Sequence, residues 1–138
     1  MGLQLALSTE EKELLTQSVE KLAGNLDLLV ERFYRYFLQS DEKVANLFRN
    51  THMDRQHNMF NVAIGVIVTN IDNPDFLQIH IDKLIEQHRL YGVTDELIHF
   101  FTSSMGKTMQ DIFGRDDQVI NAWLKLINAV MNYFRTKI

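Results

Sequence analysis

Residues 74–93 read PDFLQIHIDKLIEQHRLYGV, and this stretch decides the fold class. Its apolar side chains recur at steps of three and four residues, the spacing of a helix with one buried face. Pro74 suits the first helical turn, because its ring fixes φ and its missing N–H would be unpaired there anyway. Gly92 is placed to close the helix. The segment therefore predicts an amphipathic helix with a stripe of Leu77, Ile81, Leu84 and Ile85.

The same period recurs on both sides of this helix. Ser8 and Glu11 form a capping-box pattern, in which each side chain satisfies a backbone N–H of the other residue. We find neither strand alternation nor an internal repeat, so the predicted fold class is all-α. The other expected elements are helices over 8–22 (ended by Gly24), 26–41, 95–113 and 119–134, a turn over 42–48, and a long helix through Phe60 that ends at 70–73.

Composition predicts one domain over residues 1–138 and excludes several classes of site. Hydrophobic types make up 46% of the 138 residues, which is ordinary for a globular domain. The net charge of −4 gives no attraction to nucleic acid or anionic lipid. Without cysteine there is no disulfide, thiolate metal site or cysteine nucleophile. No apolar run approaches the roughly 20 residues of a membrane span and no export signal is visible, so we expect a cytoplasmic protein.

Three polar side chains fall on apolar helix faces, where a polar group needs a partner. His88 follows Leu84 by four residues, Gln56 precedes Phe60 by four, and Tyr34 lies in the middle of the second helix. In a chain with nine phenylalanines, this combination predicts a cavity for a large, flat, apolar molecule with one coordinating atom. Haem fits that description.

Each of these residues also has a purely structural interpretation. A histidine on an apolar stripe is commonly a hydrogen-bonded core residue, a glutamine near a helix start commonly lies at the solvent boundary, and a tyrosine commonly packs with its hydroxyl in water. The methionines are interpreted as flexible core filler: Met53, Met59, Met105, Met109 and Met131. The remaining histidines are interpreted as surface or rim residues: His52, His57, His80 and His99.

The sequence resembles the globins, specifically bacterial single-domain haemoglobins and the haem domain of flavohaemoglobins, over essentially its whole length. Within the family, a histidine followed by an aromatic and a valine-like residue, as His88 is by Tyr91 and Val93, is the proximal iron ligand. The resemblance implies a globin fold of six to eight helices packed around a haem pocket. The segments that carry it are Phe33-Tyr34, Asn46-Leu47-Phe48, Gln56, Asn70-Ile71-Asp72-Asn73-Pro74, Gln87-His88-Arg89-Leu90-Tyr91-Gly92-Val93 and Ala122-Trp123.

The resemblance also implies roles for these residues, with haem b as the cofactor. His88 is the proximal ligand, Phe48 the aromatic that wedges the haem, Tyr34 the distal hydroxyl and Gln56 the residue at the usual distal position. Tyr34 and Gln56 are both hydrogen-bond donors, which favour O2 over CO because bound O2 takes up partial negative charge. The other predicted haem contacts are Phe37, Phe60, Ile64, Leu84, Val93 and Ile98.

Some positions depart from the family pattern. In flavohaemoglobins a tyrosine and a glutamate bracket the proximal histidine, whereas Ile98 and Ile138 stand at the matching places here. A peroxidase-like push is therefore not expected, and we predict that the second ring nitrogen of His88 bonds to the Leu84 carbonyl. The residue before the histidine, often a lysine near a propionate, is Gln87, which leaves Arg89 or another residue for that contact.

Three functions remain open, in decreasing order of expectation. The first is reversible binding of O2, and also of CO and NO, at pentacoordinate ferrous iron, for oxygen binding or transport or for gas sensing. The second is detoxification of the NO dioxygenase type with a separate reductase, which the chain does not carry. The third is a haem-free globin module that signals through protein contacts.

Overall fold

The computed structural model describes residues 2–22 and 26–138 of the chain. Every regular element in these residues is an α-helix, which confirms the predicted all-α class. Gly24, expected to end the first helix, lies outside the described residues. The seven helices of the described residues are α1 (Thr9–Lys21), α2 (Asp27–Ser40), α3 (Glu42–Leu47), α4 (Met53–Thr69), α5 (Pro74–Arg89), α6 (Asp95–Phe113) and α7 (Asp117–Lys137).

Local sequence signals account for the helix starts. The Ser8 hydroxyl accepts from the Glu11 backbone N–H at 3.1 Å, and the Glu11 carboxylate accepts from the Ser8 N–H at 2.9 Å. This is the predicted capping box, which satisfies two backbone groups that a helix start leaves unpaired. Pro74 opens α5 as expected. A single side chain caps each of the five later helices α3 to α7: Asp41 at α3, His52 at α4, Asn73 at α5, Thr94 at α6 and Asp116 at α7.

Two elements differ from the sequence prediction. The expected turn over 42–48 is a short helix, α3, because the Asp41 side chain accepts from the Lys43 N–H at 2.8 Å and caps it. Helix α7 extends beyond 119–134 at both ends, since Asp116 caps its start and basic residues lie in its last turn. No helix of the described residues is long and apolar enough to cross a membrane.

The core is built on α2, α6 and α7. Helix α2 packs on α6, α6 on α7, and α1 on α7, while α3 and α4 pack on α2 and α5 packs on α7. In the described part of the chain, α4 and α5 pack little against each other. Helix α4, which carries Gln56, and helix α5, which carries His88, are therefore attached mainly to separate partners, while Tyr34 lies on α2.

Most of the predicted core filler is in place. Met105, Met109 and Met131 are buried, and Met53 packs against the core. Met59 is a correction, because it is exposed rather than part of the core. The reason lies in the helical period: the inward stripe of α4 runs through the next residue, Phe60, which turns Met59 towards solvent.

A polar contact ties α1 to α7 inside the core. Trp123 is 1% exposed, and its indole N–H donates to the Ser18 hydroxyl at 2.9 Å. The Ser18 hydroxyl donates in turn to the Leu15 carbonyl at 2.8 Å. Because Ser18 is only 2% exposed, water cannot replace it as the acceptor for the indole.

Replacing Ser18 should therefore leave a buried indole N–H without a partner. We expect Ser18→Ala to lower the free energy of unfolding by about 1 to 3 kcal/mol. Thr16→Ala is the matched control, since its exposed hydroxyl also bonds to a carbonyl of α1 but touches no other helix. That control should stay within about 0.5 kcal/mol of wild type. Equal losses in the two variants, measured by urea unfolding, would contradict the role given to Ser18.

Candidate functional site

Aromatic side chains from α2, α4 and α6 meet on one side of the core. The Phe33 ring centroid lies 5.0 Å from that of Phe37, 4.8 Å from that of Phe60 and 5.0 Å from that of Phe101. Phe48, at the end of α3, lies 5.9 Å from Phe37 by the same measure. The predicted residues Phe37, Phe48 and Phe60 thus belong to one aromatic cluster, to which the structure adds two members.

Tyr34 and Gln56 meet beside this cluster. The Gln56 side-chain Nε2 donates to the Tyr34 phenol oxygen at 2.9 Å. Because the phenol oxygen accepts this bond, its own O–H stays available to donate to a further acceptor. Tyr34 is 4% exposed, whereas Gln56 is half-buried. The two predicted distal donors are therefore one hydrogen-bonded unit with Tyr34 as its inner member.

The surroundings of Tyr34 keep its phenol protonated. Phe48 and Phe60 present ring edges to it, with centroids at 5.8 and 5.6 Å. Burial raises the pKa of Tyr34 to about 12, and the bond from Gln56 acts in the opposite, weaker sense. Since desolvation disfavours the phenolate, Tyr34 is a neutral donor at physiological pH.

The histidines interpreted as surface or rim residues occupy different environments. His52 is exposed and caps α4, its Nδ1 accepting from the Arg55 N–H at 3.3 Å. His99 is exposed, while His80 is half-buried and burial lowers its pKa. His57 has the most specific place: its ring stacks on the Tyr34 ring with centroids 4.8 Å apart and planes 11° apart. It therefore adjoins the distal donor.

His88 lies in the last turn of α5 with its ring orientation fixed. Its Nδ1 lies 2.6 Å from the Leu84 carbonyl oxygen, the contact predicted from the sequence. A carbonyl only accepts, so Nδ1 carries the proton and Nε2 is left with a free lone pair. The rings of Phe134 and Tyr91 flank the imidazole edge-on, with centroids at 5.7 and 6.1 Å. His88 thus has one ring nitrogen that the contact with Leu84 does not use.

The other predicted contacts divide by burial. Ile64 and Ile98 are buried in the core, whereas Leu84 and Val93 pack against it and remain half-buried. Within the described residues, no ring contact or hydrogen bond joins the Tyr34 cluster to the His88 cluster. The structure thus places Tyr34 and Gln56 with the aromatic cluster in one group, and His88 with Leu84, Tyr91 and Phe134 in another.

Sequence reasoning missed four residues that contact these groups. His57 and Phe101 touch the group around Tyr34. His57 precedes Phe60 by three residues and Phe101 follows Ile98 by three, so a stricter count of each stripe includes them. Phe33 was quoted only as a neighbour of Tyr34. Phe134 touches His88 from 46 positions further along the chain, and no local pattern signals such a contact.

Comparison with known proteins found a matching family model, similar curated proteins and a similar solved structure. A family model described as Globin matches residues 31–134. The flavohemoproteins of Halalkalibacterium halodurans and Bacillus cereus are each 22% identical over 93% of this chain, which spans only 32% of their length. A bacterial globin from Campylobacter jejuni superposes with a TM-score of 0.80, at 19% identity, over 92% of this chain and 93% of that one. At this identity the last likeness shows the fold alone.

The raised pKa of Tyr34 predicts a pH dependence of stability. An unfolded phenol ionises near pH 10, whereas the pKa of Tyr34 in the folded chain is about 12. Between these values the folded chain binds more protons than the unfolded one, so the free energy of unfolding falls as pH rises. We therefore expect the free energy of unfolding, measured with urea, to fall between about pH 9 and about pH 11. That fall should be about 1 kcal/mol smaller in Tyr34→Phe than in wild type.

Tyr91→Phe is the control for this measurement, because it removes a phenol that is 67% exposed in the folded chain. It should lose stability with pH as the wild type does. Part of the loss should survive in Tyr34→Phe, since burial and Asp82 also raise the pKa of Tyr133 to about 12. Identical pH dependence in wild type and Tyr34→Phe would show that the Tyr34 phenol is not desolvated.

Proposed function

The chain belongs to the globin family, and we propose that it holds one haem b between α4 and α5 and binds O2 reversibly there. The proposed role is oxygen binding or transport, or gas sensing, with CO and NO as further ligands. Bound haem would supply an iron centre that His88 would hold and that a diatomic gas could bind. The observation that carries the proposal is the Nδ1 contact of His88, which leaves Nε2 as the ligating nitrogen.

The residues present fit a haem. Four apolar side chains of the predicted pocket are half-buried, so they retain surface that a flat apolar molecule would cover: Phe48, Phe60, Leu84 and Val93. Covering such surface contributes about 25 cal/mol per Å². The sequence has no cysteine for thioether attachment, which supports haem b over a haem held by that bond.

On the distal side, Tyr34 is the principal donor to the gas. The Gln56 amide occupies an acceptor site of the phenol oxygen, which orients the hydroxyl and makes it a stronger donor through hydrogen-bond cooperativity. An O2 ligand that carries partial negative charge gains more from this donor than CO, which stays nearly neutral. Phe37, Phe60 and Ile64 exclude water, and dryness protects the ferrous state.

A second candidate is the conversion of NO with electrons from a separate reductase. The similarity to flavohemoproteins favours this candidate. The chain matches about a third of their length. The proximal side gives it no particular support, because the partner of His88 Nδ1 is a carbonyl and not a carboxylate. Sustained NO consumption with NADH and an added flavin reductase, against a single turnover without them, separates this candidate from simple gas binding.

Removal of His88 tests the cofactor assignment. We expect His88→Ala to lose stable haem attachment, and added imidazole to restore it by filling the cavity left behind. His99→Ala, which removes an exposed histidine of α6, is the control and should keep the haem. The measurement is the absorption spectrum of the ferric, ferrous and CO-treated protein. Unchanged haem retention in His88→Ala would overturn the assignment, and a wild-type chain that takes up no haem would favour the haem-free signalling module.

Substitution of the distal pair tests the role in O2 binding. A hydrogen bond to a partly charged acceptor contributes about 1.5 to 3 kcal/mol, or roughly 10- to 150-fold in rate. Tyr34→Phe should therefore release O2 tens-fold faster while changing CO release far less. Gln56→Leu should do the same more weakly, because it acts through the phenol. In stopped-flow displacement, a Tyr34→Phe rate within twofold of wild type would show that another group is the donor.

A further inference from the structure

We propose that Arg89 positions His88 by clamping the end of α5 to the last turn of α7. This inference rests on the proposed function, in which His88 is the ligand of the haem iron. It names a residue that touches neither the haem nor the gas and acts through its neighbour in the chain. We refer to the contact between Arg89 and the Lys137 carbonyl as the α5–α7 clamp.

The clamp is a forked hydrogen bond. Arg89 Nε and Nη2 both donate to the Lys137 carbonyl oxygen, at 3.2 and 2.6 Å, and Nη1 donates to the Glu86 carboxylate at 3.0 Å. All three guanidinium nitrogens are therefore engaged within the protein. The sequence left open whether Arg89 contacts a haem propionate, and these bonds direct it to α7 instead.

The chemistry of a helix end explains why an arginine suits this place. The last carbonyls of a helix have no partner within the helix and carry the negative end of its dipole. Lys137 is the last residue of α7, so its carbonyl is one of these groups. The guanidinium supplies a positive charge and two parallel donors, whereas a lysine ammonium lacks the planar fork.

His88 depends on this clamp because little else holds the end of α5. Ile85 is buried, but residues 86–92 are exposed apart from the half-buried His88. The bond from His88 to the Leu84 carbonyl lies within α5, so the imidazole moves with the helix end. The position of the ring relative to the core is therefore set by what attaches α5 to its neighbour.

That neighbour is α7. It contacts His88 at a point between two hydrogen-bonded contacts that join α5 and α7. The Phe134 ring, one turn before Lys137, meets the imidazole edge-on at 5.7 Å. The Tyr133 hydroxyl donates to the Asp82 carboxylate at 2.5 Å, which forms the other tie between the helices. Losing the clamp leaves α5 held by its earlier turns and frees the turn that carries His88.

Substitution of Arg89 tests the proposal in the haem-loaded protein. Arg89→Met keeps the apolar stem and removes the donors, and Arg89→Lys keeps the charge without the fork. Arg135→Met is the matched control, since Arg135 lies in the same turn of α7 but binds Asp95, at the start of α6, at 2.7 Å. The readouts are the rate of haem transfer to an excess of haem-free myoglobin and the iron–histidine stretching band in resonance Raman spectra.

We expect Arg89→Met to lose haem about three- to tenfold faster than wild type, the range for one charge-assisted bond weakened by solvent. The iron–histidine band should shift or broaden, because the imidazole samples more orientations. Arg89→Lys should lie between wild type and Arg89→Met in both readouts. Arg135→Met should match wild type in both. If Arg89→Met fails to fold, the same comparison between Arg89→Lys and Arg135→Met decides.

Hydrogen exchange in the haem-free protein provides a readout that does not depend on the cofactor. Amides in the last turn of α5 should exchange faster in Arg89→Met and stay unchanged in Arg135→Met. Wild-type haem loss and an unshifted band in Arg89→Met, with haem lost from His88→Ala, would overturn the clamp and leave the proposed function standing. Equal effects in Arg89→Met and Arg135→Met would also overturn it, because they would reflect general stability. Full haem retention in His88→Ala would overturn both.

Discussion

The hydrogen bond from His88 to the Leu84 carbonyl is the contact on which the site depends. It joins two residues one turn apart on α5 and commits one ring nitrogen to the protein, so the other has a defined direction and a free lone pair. A carbonyl is a weaker acceptor than a carboxylate and draws less on the ring proton. Under the proposed function, a carbonyl partner for His88 suits reversible gas binding better than cleavage of an O–O bond.

The opposite side of the site depends on desolvation. Tyr34 is buried among aromatic rings, and its hydroxyl is satisfied as an acceptor by Gln56 while its proton remains to be shared. The hydroxyl proton still lacks an acceptor, and a buried hydroxyl proton without an acceptor costs free energy. Under the proposed function, a gas with partial negative charge supplies that acceptor. The same burial that raises the pKa of the phenol leaves its proton open to a polar ligand.

Much of this could be predicted from the sequence because the signals are local. The capping box at Ser8, the proline at α5 and the apolar period located the helices to within a few residues, since backbone groups at helix ends must be satisfied nearby. The contact of His88 with Leu84 was predictable for the same reason, as both lie on one helix a turn apart. Met59 was misplaced because composition favours the core for methionine, while the turn of α4 decides which side it faces.

The sequence by itself determined the all-α class, most of the helix positions and the place of His88, Gln56 and Tyr34 on apolar helix faces, because each follows from the helical period and from local hydrogen bonding. Only the tertiary structure decided which of these groups meet. The stacking of His57 on Tyr34, the edge of Phe134 against His88 and the clamp of Arg89 on α7 join residues of different helices. Such pairs depend on how α4 and α5 are attached to α2 and α7, and the packing of whole helices leaves no periodic trace in the chain.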